Sequence, residues 1–337
     1  MKKKTIIGII IASIIIVAGG SYAVYASVHN KNLFENNIQN KLESPTVKEV
    51  GHKVKSIDKD KNEKATVVDN NLNKNIIKSR QVQYKELGST IQNLDKENTD
   101  NNRWWGSSLK EQIDKLSREA KKYNDKTIQS IVDNSSKIPS YLIQLAVMHP
   151  ESIPYTAGYV DKKQNQPINI DSYYKKGKIP LFQQWDKQWG YDWYGNGPIA
   201  MDGCGPTSLA MVVVGLTGDT SINPRVVADY SAKHGGYSWN QGSNGTLMTS
   251  VARHFGLDAN EISSSQVMES LRSGHPVIVS LGPGEFTLTG HIIVLAGLDK
   301  EGKIIMNNPD SIVDSNKTWT LSQITASAKA FYSYKKA

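Results

Sequence analysis

An uncharged apolar stretch near the start of the chain constrains its folding most, because a membrane or a protein core must cover such a stretch. Three lysines precede it, and it runs from Thr5 to about Val28 without a charged residue. Its length is close to the ~20 residues with which a helix crosses a bilayer. Because flanking lysines remain in the cytoplasm, we expect the rest of the chain to lie outside.

Two interpretations of this stretch remain open. Residues 1–29 are either an uncleaved signal anchor, which their length favours, or a signal peptide cleaved after Ala26. The first predicts a cell-membrane protein with a single span and an extracellular C-terminal domain, and the second a secreted protein. In both cases the remaining chain is exported.

The next part of the chain is polar. Residues 30–103 are rich in Asn, Lys, Asp and Glu, and so few apolar residues predict a mostly disordered stalk with transient helix. A helical segment is expected over 104–177, where Ser108 and Glu111 have the spacing of a capping box. A second apolar helix over 140–150 ends at a proline. These helices need a partner surface, for which the domain that follows is a candidate.

The composition changes again at about residue 178, and the new composition extends to residue 337. Glycines, aromatic residues and β-branched runs become dense. Helices come first and strands afterwards, an order typical of an α+β domain. The predicted helices cover 205–216, 246–257 and 264–274, and the predicted antiparallel strands cover 276–281, 291–298 and 303–308.

The charge of the chain indicates the surfaces it can approach. A net charge of +8 comes from 40 Lys+Arg against 32 Asp+Glu and favours anionic surfaces such as membranes or wall polymers. The lysines are spread out, and the sequence has no zinc-finger spacing, phosphate loop or RNA-binding signature. We therefore expect no nucleic-acid partner. No cofactor and no metal are implied, and we expect a monomer.

The single cysteine, Cys204, lies in the sequence MDGCGPTSLAMVVVG. A lone cysteine is most often a small buried apolar residue. In an exported protein, however, an idle thiol is exposed to oxidation. Gly203 and Gly205 leave room for another backbone or a substrate, and Pro206 opens a helix whose amino terminus stabilises a thiolate. These features favour a catalytic nucleophile.

A thiolate nucleophile needs a base, and the base needs a group that orients it. Of seven histidines, His291 alone opens an apolar strand directly after a glycine, at one edge of the predicted sheet. The run KIIMNNP would pair antiparallel with that strand through a short turn. Asn307 or Asn308 would then lie near the level of His291 and could orient its ring.

An ordered set of motifs resembles a known family. FQQWDKQW, DGCGPTSLAMV, GHIIVLAG and IIMNNP, spread over about 179–334, are similar to the peptidase C39-like family of papain-like cysteine peptidases. The resemblance implies a papain-like fold, in which the helix carrying cysteine packs on the antiparallel sheet carrying histidine and asparagine. It implies Cys204 as nucleophile and His291 as general base and acid. Gln184 resembles the family glutamine that helps to bind the oxyanion, and Gln183 is the neighbouring alternative.

The chain departs from the family pattern at one position. The family usually has aspartate before the proline that follows the second strand, and this chain has Asn308. Asparagine can accept a hydrogen bond from the imidazole but gives it no negative charge. Lower activity or a shifted pH range is therefore expected. Asp310 is the nearest carboxylate in sequence and the weaker candidate, since it lies beyond the proline.

These features predict an extracytoplasmic cysteine peptidase that cleaves peptide or amide bonds through a Cys-His-Asn triad and a thioester. Its substrate would be a peptide, a protein or a cell-wall peptide. Two alternatives remain open: a peptidoglycan amidase or endopeptidase, and a catalytically weak surface binding module of the same fold. A leader peptidase that works with its own transporter is disfavoured, because the sequence has no phosphate loop.

Overall fold

The computed structural model describes residues 84–97, 104–239 and 241–337. The predicted membrane segment and most of the predicted stalk lie outside these ranges. In the described part of the chain, no helix combines the length and the apolar composition that a membrane crossing requires.

Short helices form the described residues that precede the α+β domain. The helix over Leu109–Tyr123 begins with the predicted capping box, in which the Ser108 N–H donates to the Glu111 carboxylate at 2.8 Å and the Ser108 hydroxyl accepts from the Glu111 N–H. The predicted helix over 140–150 is also found, although it ends at Met148. The helices are α1 (Ser89–Glu97), α2 (Leu109–Tyr123), α3 (Lys126–Asp133), α4 (Ser140–Met148) and α5 (Ile153–Ala157).

One part of the predicted disordered stalk is folded. Helix α1 lies inside 30–103, and its apolar residues Ile91 and Leu94 are buried against the other helices. Two apolar residues three positions apart share one helix face, which suffices where a neighbouring surface covers it. The polar average of the region conceals this short amphipathic stretch, where the sequence predicted no more than transient helix.

The α+β domain is built around helix α7, which is buried from Gly205 to Val214. It ends at Gly218, whose φ of 78° lies in the left-handed region that glycine adopts without strain. The predicted helix over 246–257 is shorter, a π-helical turn at Leu247–Val251 followed by one helical turn. The helices of this domain are α6 (Ile199–Asp202), α7 (Cys204–Thr217), α8 (Pro224–Lys233), α9 (Ala252–His254), α10 (Val267–Arg272), α11 (Ile312–Ser315) and α12 (Leu321–Thr325).

A six-stranded antiparallel sheet has the order β5-β10-β6-β7-β8-β9. The three predicted strands are β6, β7 and β8. The predicted antiparallel pairing of β7 with β8 is present, and β6 pairs with β7 on its other side. Strands β5 and β10 were not predicted, because their polar residues hide the pattern. The strands are β5 (Leu257–Ile262), β6 (Val277–Leu281), β7 (His291–Leu298), β8 (Ile304–Asn307), β9 (Thr318–Trp319) and β10 (Ala328–Lys336), beside two small hairpins, β1 (Trp193–Tyr194) with β2 (Gly197–Pro198) and β3 (Tyr237–Ser238) with β4 (Gly242–Ser243).

Both faces of strand β7 are covered, which explains why it reads as a continuous apolar run. On one face Ile292 and Val294 pack in the same core as α7, and the Ser208 hydroxyl donates to the Ile292 carbonyl at 3.2 Å. On the other face Ile293 and Leu295 pack with residues of α10 and α12. The predicted α+β arrangement, a helix carrying cysteine on a sheet carrying histidine, is confirmed.

The helical segment packs against the α+β domain, as its need for a partner surface predicted. Its apolar core includes Trp185, Ala200 and Ile312 from that domain. One polar contact joins the two as well, since the Ser311 hydroxyl donates to the buried Glu151 carboxylate at 3.2 Å. These contacts lie beside the strand ends that carry the candidate catalytic residues.

Candidate active site

Cys204 is the first residue of α7, and both glycines beside it are sterically required. A Cβ atom on Gly203 would collide with the backbone carbonyl of Ile199, and one on Gly205 would collide with Ser243. The expected close approach is therefore real, and the approaching groups are helix α6 and strand β4.

The surroundings of the Cys204 thiol make its ionisation harder. Burial raises the pKa of Cys204 to about 12, and the carboxylates of Asp310 and Asp202 add to this rise. The backbone N–H groups of Ile292 and Gly205 face the sulfur and oppose the rise only in part. The sequence predicted a stabilised thiolate at the helix amino terminus. That prediction was wrong in direction, because desolvation outweighs the helix terminus.

The sequence left Asn307 and Asn308 as alternative partners of His291, and the structure places Asn308 against its ring. His291 Nε2 lies 2.7 Å from Asn308 Oδ1, and both side chains are buried. Asn308 directly follows β8, whose last residue Asn307 pairs with Val294 on β7. Asn307 contacts a different part of the chain, since its Nδ2 donates to the Pro180 carbonyl at 2.7 Å. Asn308 is thus the group that can orient the imidazole.

Cys204 and His291, the candidate nucleophile and the candidate base, come from elements that are packed together. The Cys204 sulfur faces the N–H of Ile292, the residue after His291. Burial lowers the pKa of His291, whereas Asp310 and the hydrogen bond with Asn308 raise it. Burial therefore favours the neutral thiol of Cys204 and the neutral imidazole of His291.

Gln184 lies between the two halves of the site. Its Nε2 donates to the Ala200 carbonyl at 2.8 Å, and its backbone N–H donates to the Pro309 carbonyl at 2.7 Å. It thus joins α6, which leads into Cys204, to the loop that carries Asn308. The alternative, Gln183, has its Nε2 3.4 Å from the Asn308 carbonyl. The oxyanion role of Gln184 stays a prediction.

Asp310 is close to the site but is not the hydrogen-bond partner of the imidazole. Its backbone N–H donates to Asn308 Oδ1 at 3.0 Å, and its carboxylate lies 3.4 Å from His149 Nε2. Sequence reasoning missed His149, Asp202 and Asp314, which also act electrostatically on Cys204 or His291. Only Asp202 carried a local signal, since it stands two residues before the cysteine.

The two small hairpins flank the nucleophile. The Tyr194 hydroxyl on β1 lies 3.0 Å from the Ser243 hydroxyl on β4, the residue that would collide with a side chain at Gly205. Each hairpin also carries an exposed aromatic side chain, Trp193 at 58% and Trp239 at 73% exposure. These are apolar surfaces that a bound substrate could cover.

Comparisons with known proteins cover this same part of the chain. Residues 176–337 match the peptidase C39-like family. One similar solved structure is the peptidase domain of Streptococcus ComA, a bi-functional ABC transporter involved in a quorum-sensing pathway. The two are 16% identical over 47% of this chain and 99% of that chain, with a TM-score of 0.34. No curated protein matches the chain.

Proposed function

We propose that residues 176–337, which match the peptidase C39-like family, form a cysteine peptidase domain in which Cys204, His291 and Asn308 are the catalytic triad. The observation that carries this proposal is the 2.7 Å contact between His291 Nε2 and Asn308 Oδ1. His291 lies on β7, the strand against which the helix that begins at Cys204 packs. This is the order of groups that nucleophilic catalysis by a thiol requires.

The arrangement supports acyl transfer through a thioester. His291 Nδ1 takes the Cys204 proton as the sulfur attacks the substrate carbonyl carbon. The Gln184 side chain and the Cys204 backbone N–H donate to the resulting oxyanion. His291 then protonates the leaving amine, and the C–N bond breaks. Water, deprotonated by His291, hydrolyses the thioester, which releases the carboxylic acid and restores the thiol.

The pKa shifts support a proton transfer from Cys204 to His291 that follows substrate binding. Because burial raises the pKa of Cys204 and lowers that of His291, the resting pair is neutral. The proton moves when substrate is bound and the developing oxyanion meets its donors. Reaction with a substrate-like electrophile should therefore be faster than alkylation by a small reagent that gains nothing from those donors.

The proposed location is outside the cytoplasm. The apolar stretch over 5–28 and its three preceding lysines support an anchored or secreted protein. A surplus of positive charge suits an anionic cell wall or membrane surface. We propose peptide bonds of unstructured protein as substrate, with an amide bond of cell-wall peptide as the alternative.

A second candidate function is a surface binding module with little turnover. Two observations favour it: Asn308 replaces the usual aspartate, and the pKa of Cys204 is raised to about 12. Such a module would bind the same peptides without releasing new amines.

The test incubates the full-length protein with an unstructured protein and with peptidoglycan, and measures new amino groups. We expect release from one of the two substrates, and its loss in Cys204→Ala. Because one oxyanion donor stabilises a transition state by ~3 kcal/mol, Gln184→Ala should be about a hundredfold slower. Equal release by wild type and Cys204→Ala would exclude the proposed peptidase site. Binding without release would favour the module.

A further inference from the structure

The amide of Asn308 is held on both of its sides. Its Oδ1 accepts from His291 Nε2 at 2.7 Å and from the Asp310 N–H at 3.0 Å. Its Nδ2 donates to Asp314 Oδ2 at 3.2 Å. Asp314 lies on α11, where the Ser311 hydroxyl accepts from the Asp314 N–H at 3.1 Å. A carboxylate therefore lies directly behind the group that orients the imidazole.

This arrangement removes an ambiguity that an asparagine would otherwise introduce. An amide presents an acceptor on one side and a donor on the other, and a half-turn exchanges them. The Asp314 carboxylate can only accept, so it requires the Nδ2 side of Asn308. Oδ1 then faces His291, and an oxygen there requires a proton on Nε2. Nδ1 is left unprotonated, as a base for the Cys204 thiol must be.

We propose that Asp314 is a positioning residue for catalysis, which fixes the orientation of Asn308 and through it the tautomer of His291. The inference rests on the proposed function, in which His291 is the base. Asp314 also places a carboxylate directly behind Asn308, whose own amide carries no charge. The series of side chains that runs from Cys204 through His291 and Asn308 to Asp314 thus ends in a negative charge.

Several other charged groups lie around Asn308 and Asp314. Lys317 lies 3.4 Å from the other Asp314 oxygen, and the buried Glu151 approaches from the helical segment. Asp310 and its partner His149 lie on the opposite side of Asn308. Burial lowers the pKa of His291, and Asp310, Asn308 and Asp314 oppose that effect. Removing the charge of Asp314 should lower the pKa of His291 further, and the acid limb of the activity profile should move to lower pH.

A reciprocal exchange of the two side chains tests the proposal. In Asp314→Asn the neighbouring amide can accept or donate, so of these two contacts only the one from the Asp310 N–H still favours the present orientation of Asn308. We expect kcat to fall about 10- to 100-fold at unchanged KM. In Asn308→Asp two carboxylates would face each other where Asn308 and Asp314 now meet, and we expect a similar fall. The double variant restores one carboxylate and one amide in the reverse order, and should recover to within a few-fold of wild type.

A matched control removes a comparable carboxylate elsewhere. Asp258 lies on the edge strand β5 and pairs with Lys335 at 3.2 Å, as Asp314 pairs with Lys317. Asp258→Asn should keep the kcat and pH profile of wild type. Thermal unfolding of every variant separates loss of activity from loss of fold.

The proton on His291 provides a readout that does not depend on turnover. Nitrogen-15 NMR should show His291 protonated on Nε2 in wild type and a mixture of tautomers in Asp314→Asn. An unchanged tautomer and pH profile in Asp314→Asn, or a double variant no better than the poorer single variant, would overturn the inference. Absence of peptidase activity in wild type would instead refute the proposed function, and the NMR measurement would still decide the role of Asp314.

Discussion

The two sides of the proposed active site are positioned by different physical means. On the nucleophile side, Cys204 is placed by close packing, since α6 and β4 leave room only for glycine at the positions beside it. On the base side, His291 is placed by a hydrogen bond that Asn308 Oδ1 accepts, and the Asn308 amide in turn donates to Asp314. The nucleophile should therefore be sensitive to added volume, whereas the base should be sensitive to the loss of a single polar group.

The largest effect is expected on the hydrogen-bonded side, where two adjacent asparagines can be compared. Asn308→Ala removes the group that orients His291, and kcat should fall at least about a hundredfold. Asn307→Ala should instead lower the free energy of unfolding by about 1–3 kcal/mol, because the Pro180 carbonyl loses its donor. Peptide hydrolysis and denaturant unfolding measure the two effects. Equal loss of activity in both folded variants would contradict the separate roles.

The packed side should respond to one methyl group. Gly205→Ala places a Cβ atom against Ser243 and Leu247, and such overpacking should destabilise the protein by about 1–3 kcal/mol and displace the thiol. Gly245→Ala is the control, since its Cβ would meet only the Tyr332 hydroxyl at 3.6 Å. Thermal unfolding and hydrolysis should show a loss for the first variant alone. Wild-type activity in Gly205→Ala would show that packing does not set the position of Cys204.

A half-buried carboxylate near Cys204, that of Asp202, should be dispensable for folding. Burial raises the pKa of Asp202 to about 6, so its ionisation above that pH destabilises the folded state. Asp202→Asn should raise the free energy of unfolding at neutral pH by about 2 kcal/mol. The gain should shrink as the pH falls through 6 and vanish near the ordinary carboxyl pKa of about 4. Denaturant unfolding across this range checks the sign, and a gain independent of pH would contradict the stated cause.

The smallest effect concerns the contact between the two sides. Ser208→Ala removes the hydrogen bond from α7 to the Ile292 carbonyl and should destabilise the protein by about 1 kcal/mol. Hydrolysis should fall by less than the effect of Gly205→Ala, because packing of α7 in the core remains. A larger fall would mean that this bond, rather than packing, aligns Cys204 with His291.

The sequence could predict those elements whose own residues carry a recognisable pattern of apolar residues and turns. The strands β6 to β8 are apolar runs bounded by glycine-containing turns, and pairing of β7 with β8 brought Asn308 within reach of His291. Strand β10 was missed because its AKAFYSYKK sequence mixes apolar, small and charged residues, although it lies between β5 and β6. Its neighbours along the sheet, rather than its own pattern, make it a strand.

The electrostatics of the site could not be predicted in this way. A helix amino terminus and two glycines favoured a thiolate, but the pKa of Cys204 depends on how much protein surrounds the sulfur and on Asp310. Asp310 and Asp314 stand only four positions apart, and nothing in the sequence distinguishes the one that donates its backbone N–H to Asn308 from the one that accepts from the Asn308 amide. The fold decides these roles.

The central claim is that Cys204 and His291 react as a pair, and covalent labelling tests it most directly. A peptidyl vinyl sulfone resembles a substrate and needs a proton from the imidazole as the sulfur adds. At neutral pH, mass spectrometry should find Cys204 labelled in wild type and at least about a hundredfold more slowly in His291→Ala. Equal labelling rates in the two proteins would contradict the pair.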